Sequence, residues 1–445
     1  MPNHMFFRDM FSDHIRIVRG EGVYIYDEFG KKYLDATGGA NASIPIGHGV
    51  KPVIDAMVEQ ARKVSFVPMH LFSNEPAELL ADEIAKITPS GLSTTWFVNS
   101  GSEAADNAVK ITRQYHLEKG NAGKFKIISR WQGFFGNTLG ALEIGGHTFR
   151  RSKYIPLLKD MPHIPPAYCY RCWFGKQYPD CNLECATFLE KVVKQEGPEC
   201  VAGFMAEPIV GATTGATTPP KEYFPIIREI CDKYDITLIV DEVQTGVGRT
   251  GKWFAIEHWG VSPDIITTAK GLSGGFTPLG AVIVNDKIVD TFVRNKSNLV
   301  GGHTFSANPV SCAIGLAVLK HIQENNLLEK CAEAGAYLKK RLTELQSKHR
   351  IIGDVRGMGL MLGLELVKDM STKEPFPTEA KVAAKLTREC MKRGAMVYPG
   401  SGTADGIVGD HILLTPPYIV TREHNEELIS VLDESLAVVE KQLLG

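Results

Sequence analysis

No run in the 445-residue chain approaches the roughly 18 consecutive apolar residues that cross a bilayer. Stretches such as 313–319 end far short of that, so no membrane span is expected. An excess of one charge is missing too. With 49 basic and 51 acidic side chains the formal net charge is −2, which gives no broad basic field for a nucleic-acid backbone or an anionic lipid surface. The opening MPNHMFFRDMFSDHIRIVRGEG interrupts its apolar residues with charges and lacks the unbroken core of a secretory signal, which points to the cytoplasm. Cysteine is sparse and odd in number, nine in a chain long enough to build a core, so reduced thiols are expected rather than a disulfide framework. The 43 Gly and 24 Pro stay below the level of collagen or low-complexity chains. What remains, 44% apolar and 22% charged, is the composition of an ordinary folded chain of about two or three domains, with small molecules or other subunits as partners.

Between residues 93 and 285, short β-rich runs alternate with longer segments of helical period: TTWFV, FKIIS, VAGFMA, ITLIV, DIITTA and GAVIV. Their apolar character on both faces predicts an α/β fold of parallel strands joined by right-handed crossovers, with ligands at the carboxyl ends of the strands. Ahead of them, GVYIYDEFGKKYLDA predicts a hairpin that turns at 27–30. Behind them, helical stretches at 311–347 and 376–393 flank the strand-like MGLMLGLELV, and a last helix covers 423–442. The expected division is a large domain over 61–324 with a mainly parallel sheet, and a smaller α+β domain built from segments 1–60 and 325–445.

Three local features fall where that topology places a site. ITLIV runs into Asp241, an acid at the end of a buried strand, where an unpaired carboxylate is costly. DIITTA ends at Lys270, among small residues that leave room beside its amine; a lysine kept dry loses affinity for its proton and becomes fit for Schiff-base chemistry with an aldehyde. TTWFV passes through Asn99-Ser100-Gly101-Ser102 into a helical run whose free amides, hydroxyls and dipole form a phosphate cup. An amine for an aldehyde, a carboxylate for a protonated ring nitrogen and a cup for a phosphate ester are the handles of pyridoxal phosphate.

The stretches NSGSEA, WQGFFGNT, AEPIVGATTG, IVDEVQTGVGRTG, ITTAKGLSGG, GGHTFSANPVSCA and VRGMGLMLGLEL, spread over most of the chain, resemble the class III, or omega-type, aminotransferases of the fold type I pyridoxal phosphate enzymes. The resemblance implies that Lys270 forms the Schiff base with the cofactor and Asp241 pairs with its ring nitrogen. It also implies phosphate binding by Gly101, Ser102 and Thr304, with Trp131 stacked on one ring face and Val243 on the other. Gln244 is expected near the ring hydroxyl, Glu207 toward the substrate side, and Phe134 and Tyr398 beside the substrate. In the family the threonine comes from the neighbouring subunit, so a homodimer with shared active sites is implied, and two dimers forming a tetramer stays open. The implied reaction moves an amino group from a primary amine or amino acid to an oxo acid such as pyruvate or 2-oxoglutarate.

Relatives acting on gamma-aminobutyrate or ornithine carry an arginine just after an aromatic-His-Gly motif, whereas the run here is Trp131-Gln132-Gly133-Phe134. Tyr398 and Leu413 stand where other relatives place a second arginine. With no evident guanidinium clamp, the donor is expected to be a primary omega-amine whose distal end, near Phe134, is not a simple carboxylate. A racemase or epimerase, or a decarboxylating transaminase, shares the same machinery and stays open. The string Gly246-Val247-Gly248-Arg249-Thr250-Gly251 also fits a nucleotide-binding pattern, although Asp241 to Thr245 separate it from its strand and Trp253 replaces a magnesium-binding hydroxyl. A scaffold built on Cys169, Cys172, Cys181 and Cys185 is a further alternative. Those paired cysteines suit either a structural zinc ion or free thiols, and no metal ligand is assigned.

Overall fold

The computed structural model describes residues 4–445; the first three residues of the opening segment lie outside the described residues. An N-terminal meander, β1 (Ile17–Glu21), β2 (Tyr24–Asp27) and β3 (Lys32–Asp35), turns where the glycine-containing 27–30 segment allows it. Two amphipathic helices follow, α1 (Lys51–Lys63) and α2 (Glu75–Ile87), the second capped by Asn74, whose side chain accepts from the Ala77 amide.

The central layer then alternates strand and helix: β4 (Leu92–Val98), α3 (Gly101–Glu118), β5 (Lys126–Arg130), the short α4 (Leu139–Ile144) and α5 (Thr148–Arg151), β6 (His163–Ile164), α6 (Glu184–Glu196), β7 (Val201–Ala206), α7 (Tyr223–Lys233), β8 (Thr237–Asp241), β9 (Ile265–Thr268), β10 (Gly280–Asn285) and α8 (Asp286–Arg294). Its strands form one seven-stranded sheet in the order β4-β10-β9-β8-β7-β5-β6. Every residue of β7 and β8 is buried, as expected for parallel strands covered by helices on both faces.

GAVIV departs from the parallel expectation, because β10 runs antiparallel to both β9 and β4. A parallel return needs a crossover, usually a helix. The connector 269–279 holds only a single tight turn, Lys270–Ser273, so the chain reverses directly.

Helices α9 (Pro309–Glu324) and α10 (Leu327–Lys348) replace the single stretch read at 311–347. The break is at Asn325-Asn326, where Asn326 takes a left-handed φ of 52°. Beyond it lie β11 (Ile352–Met358), β12 (Met361–Leu366), α11 (Val382–Lys392), β13 (Ala395–Met396), β14 (Tyr398–Ser401), β15 (Asp410–Leu414) and α12 (Arg422–Leu444). The apolar run MGLMLGLELV is therefore a hairpin corner with one strand on its far side. Gly359 turns it at φ 55°, and a Cβ there would stand 2.6 Å from the Thr250 backbone. Strands β11-β12-β15-β14 form an antiparallel sheet, and β13 pairs in parallel with β3, so the chain's two ends share the sheet β1-β2-β3-β13.

An ionic cluster ties the antiparallel sheet to the loop before α6. Glu365 of β12 is wholly buried, accepts from Tyr168 Oη and Arg171 Nε, and pairs with Arg356 Nη1 at 2.7 Å. Arg356 also reaches Asp354 at 2.8 Å and the Thr214 carbonyl. Removing one member of such a group strands the others without compensation. Glu365→Gln is expected to lower the unfolding free energy by about 3–5 kcal/mol. Asp55→Asn, which breaks the exposed Lys51–Asp55 pair on α1, should change it by less than about 1 kcal/mol; urea unfolding of both variants measures the contrast.

Candidate active site

Strands β8 and β9 run side by side with Asp241 paired to Thr267, so the acid and the lysine that follows β9 emerge at one height. Thr267 Oγ1 donates to Asp241 Oδ2 at 2.9 Å and the Val243 amide donates to Oδ1 at 3.1 Å, which fixes the carboxyl in the sheet's end. Lys270 has a φ of 41°, a conformation that costs a non-glycine residue about 1–3 kcal/mol and persists where surrounding structure enforces it. Its side chain enters a cavity of about 530 Å³ lined also by Gly101, Ser102, Phe134, Asp241, Val243 and Gln244.

Burial dominates the electrostatics of both groups. It pulls the Lys270 amine down to about 8, opposed by Asp241 and reinforced by the charges of Arg249 and Arg150. It pushes the Asp241 carboxyl up to about 8, reinforced by Glu207 and opposed by its hydrogen bonds and by Lys270. Both shifts run toward the neutral form, the signature of desolvation. An amine made nucleophilic and a carboxyl awaiting a cation thus face one space.

The third wall is the start of α3. Ser100 caps it, its side chain accepting from the Glu103 amide at 3.2 Å, while the amides of Gly101 and Ser102 precede the first intrahelical bonds and lie at the positive end of the dipole. A Cβ at Gly101 would sit 2.8 Å from Val243 Cγ1, so glycine lets the helix start press against the strand-end loop. Gln244 Oε1 is buried without a hydrogen-bond partner, an acceptor with room for a ligand donor. This donor set fits pyridoxal phosphate: the amine for its aldehyde, the carboxyl for its ring nitrogen, the helix start for its phosphate.

Trp131 is not at that cavity. It continues the edge of β5 beside β6, with its amide donating to the Ile164 carbonyl at 2.9 Å, and this commits its indole to stack on His163 with ring centroids 4.3 Å apart. The chain turns only at Gln132, where φ is 62°. Glu207 Oε1 then takes the Phe134 amide at 2.9 Å, which makes Phe134 the aromatic at the cavity wall. Glu207 itself is buried behind that wall, 3.5 Å from Arg130, with its carboxyl raised by burial.

Tyr398 opens β14 and lies beside Arg150 rather than lining the cavity. Thr304 lies in an exposed turn outside the cavity of its own chain. Asn137, inside the WQGFFGNT stretch but given no role there, lines the cavity and donates its backbone amide to Ser102 Oγ at 3.1 Å, and Arg150 is an addition that no motif in the sequence marks.

The nucleotide-like string is filled by protein. A Cβ at Gly248 would meet Leu328 at 2.6 Å and one at Gly251 would meet Ala332 at 2.8 Å, so these glycines serve close packing against α10 and leave no phosphate cradle. Cys169, Cys172, Cys181 and Cys185 line a separate cavity of about 20 Å³ as free thiols. Among the described residues no three His, Cys, Asp or Glu side chains are grouped to hold a metal ion.

Comparison with known proteins agrees with the geometry. The profile of the family Aminotransferase class-III matches residues 8–436. An uncharacterized aminotransferase of Bacillus subtilis, YodT, is 40% identical over 443 residues, covering 100% of this chain and 99% of the relative. The putrescine–pyruvate aminotransferase of Pseudomonas aeruginosa is 36% identical, covering 95% of this chain and 91% of its own. An amine transaminase from an uncultivated Pseudomonas species, solved with pyridoxal phosphate bound, superposes with a TM-score of 0.92 at 30% identity over 98% of this chain and 99% of that one. The chain belongs to the class III aminotransferases, fold type I enzymes that depend on pyridoxal phosphate.

Proposed function

We propose that the protein moves an amino group from a primary amine or amino acid to an oxo acid such as pyruvate or 2-oxoglutarate, in two half-reactions at the Lys270 cavity. The observation that carries this reading is the desolvated Lys270 amine sharing one space with buried Asp241 and the open start of α3. The cofactor, when bound, supplies the electron-withdrawing ring and stores the amino group between half-reactions.

Each residue then has a task set by its surroundings. Lys270 would hold the cofactor aldehyde, and its free amine would move a proton between the substrate carbon and the cofactor carbon as general base and acid. A group titrating near pH 8 suits both directions of that transfer. Asp241 holds a proton at the ring nitrogen, and charge fixed there in a dry site stabilises the transition state electrostatically. Gly101 and Ser102 take the phosphate. Phe134 and Val243 would cover the ring faces and Gln244 would face the ring hydroxyl, while Glu207 positions Phe134 through the amide hydrogen bond it accepts.

Oligomer and compartment belong to the same proposal. Thr304 completes the phosphate site of a second copy in a homodimer. The support is an apolar surface around its turn: Val300 is 75%, Phe305 59%, Leu71 67% and Phe72 59% exposed, and Phe66 packs edge-on to Phe305 at 5.8 Å. The large unit, 61–324, carries the cofactor, and segments 1–60 and 325–445 form the smaller unit over the substrate. Free cysteines throughout suit the reducing cytoplasm.

Lys270→Ala should lose at least about 10³-fold in transamination of an alkylamine with pyruvate, and Asp241→Asn about 10²–10³-fold in kcat with cofactor still bound. Coupled product assays and the near-visible absorbance of bound cofactor measure these losses. Appearance of the opposite enantiomer of an amino acid without any oxo product would replace the transaminase reading with a racemase.

In the cofactor-free protein, only the free amine of Lys270 captures pyridoxal phosphate, so the capture rate should climb with pH to a plateau above about 8. A lysine in water would go on climbing beyond about pH 10. Borohydride trapping across that range, followed by peptide mapping at position 270, reads the midpoint.

A further inference from the structure

Arg150 is a cation that the fold brings to the cavity without an anion of its own. It sits in α5 with its guanidinium 4.6 Å over the Phe134 ring and one nitrogen 3.4 Å from Asn137 Oδ1, and both of these partners line the cavity. The Tyr398 phenol lies near enough to act on its charge, and that charge is felt in turn at the Lys270 amine.

Several buried or half-buried arginines are matched with acids, Arg130 with Glu207, Arg171 and Arg356 with Glu365, and Arg228 with Asp264, whereas buried Arg249 spends its guanidinium on the Leu360 and Pro416 carbonyls. Arg150 makes no ion pair among the described residues. The charged or titratable groups acting on it are the Tyr398 phenol and a second cation, Arg8. Burial, reinforced by Arg8 and opposed by Tyr398, lowers its affinity for its proton, so the folded protein bears the cost of desolvating this charge. His147, next to α5 and edge-on to Phe134, is held neutral by burial and by Arg150, its pKa near 4, and so adds no competing charge.

We propose that Arg150 anchors the carboxylate of the acidic substrates, the oxo acid acceptor and any amino-acid donor, at the Phe134 side of the Lys270 cavity. The proposal rests on the transaminase reading and names how that site recognises acids. Stacking on Phe134 and the one bond to Asn137 leave further N–H groups of the guanidinium fork for the two parallel hydrogen bonds a carboxylate accepts. It also turns over the sequence expectation that no guanidinium clamp is present: the arginine lies on α5, well along the chain from the motif where such a residue is usually sought.

The experiment compares half-reactions and binding on the holoenzyme. With the wild type, loss of the bound-cofactor absorbance on adding butylamine tests the transaminase reading alone; if neither butylamine nor any amino acid bleaches it, that reading fails whatever Arg150 does. For Arg150→Met, the ratio of second-order rate constants for an acidic donor, beta-alanine, over butylamine should fall by about 100-fold, with Arg150→Lys recovering part of it.

A readout independent of turnover is calorimetric binding of unreactive valerate against its uncharged counterpart pentanamide. Arg150→Met should weaken valerate at least about tenfold relative to pentanamide. A ratio unchanged within about threefold in both measurements, or equal losses for charged and neutral probes as a merely structural role would give, overturns the proposal. Should Arg150→Met fail to load cofactor, Arg150→Gln, which keeps the polar reach to Asn137 and Tyr398 without the charge, decides the same ratios.

Discussion

Removing an amine and a carboxyl from water at the ends of two neighbouring strands disfavours charge on both, and the rest of the site is arranged around that cost. Parallel pairing of β8 with β9 brings Asp241 and Lys270 to one height, and Thr267, in register with Asp241, spends its hydroxyl on that carboxyl. Neither group has a full counter-charge within the protein: burial is the leading cause of both shifts and their mutual attraction only opposes it. A ligand that brings a protonated nitrogen to Asp241 and an electrophilic carbon to Lys270 relieves both penalties together. The site is thereby selective for a cofactor with both features at fixed separation, before any contact with the phosphate.

Holding that pair in place requires a frame that the parallel sheet alone does not provide. Arg249, fully buried in the loop after β8, donates to the carbonyls of Leu360 at 2.9 Å and Pro416 at 2.6 Å and lies over the Tyr418 ring at 4.6 Å. Tyr418 Oη returns a bond to the Val247 carbonyl at 2.9 Å. Loops carrying the acid are thus locked to the antiparallel sheet and its following turn. Gly271, beside the lysine, packs against Val247, so the same lock reaches Lys270. The tight approaches at Gly248, Gly251 and Gly359 are what such a lock needs, which is why a string resembling a nucleotide loop is here a packing surface.

Those parts of the fold that are buried on both faces were readable from composition: VAGFMA, ITLIV and DIITTA are strands because an apolar run between turn residues has few alternatives in a chain of this kind. The direction of β10 was not readable, since antiparallel and parallel strands of a covered sheet share one composition and only the shortness of 269–279 separates them. Strands β11, β14 and β15 escaped notice because their glycines and charges hide the alternation, and their pairing is fixed by partners distant in sequence. Within the site, Lys270, Asp241 and the start of α3 were legible because chemistry restricts which residues serve and topology restricts where. The resemblance puts Trp131 at the cavity wall, where Phe134 stands instead. The two differ by one left-handed residue, Gln132, and by a buried carboxylate's grip on one amide, neither of which leaves a mark in composition.

Segment 130–151 is held in place from two sides. Its first residue, Arg130, pairs with Glu207, and Glu207 fixes the Phe134 amide, so the aromatic wall is positioned from the sheet side. Its last turn, α5, lays Arg150 on the other side of the same ring and meets Tyr398 at the start of β14. Gln132 donates to the carbonyls of Gly402 and Thr403 at 3.3 and 3.1 Å, which ties this segment to the loop that follows β14. Phe134 thus joins the part of the cavity wall held from the sheet, through Glu207, to the part carried by α5, through Arg150.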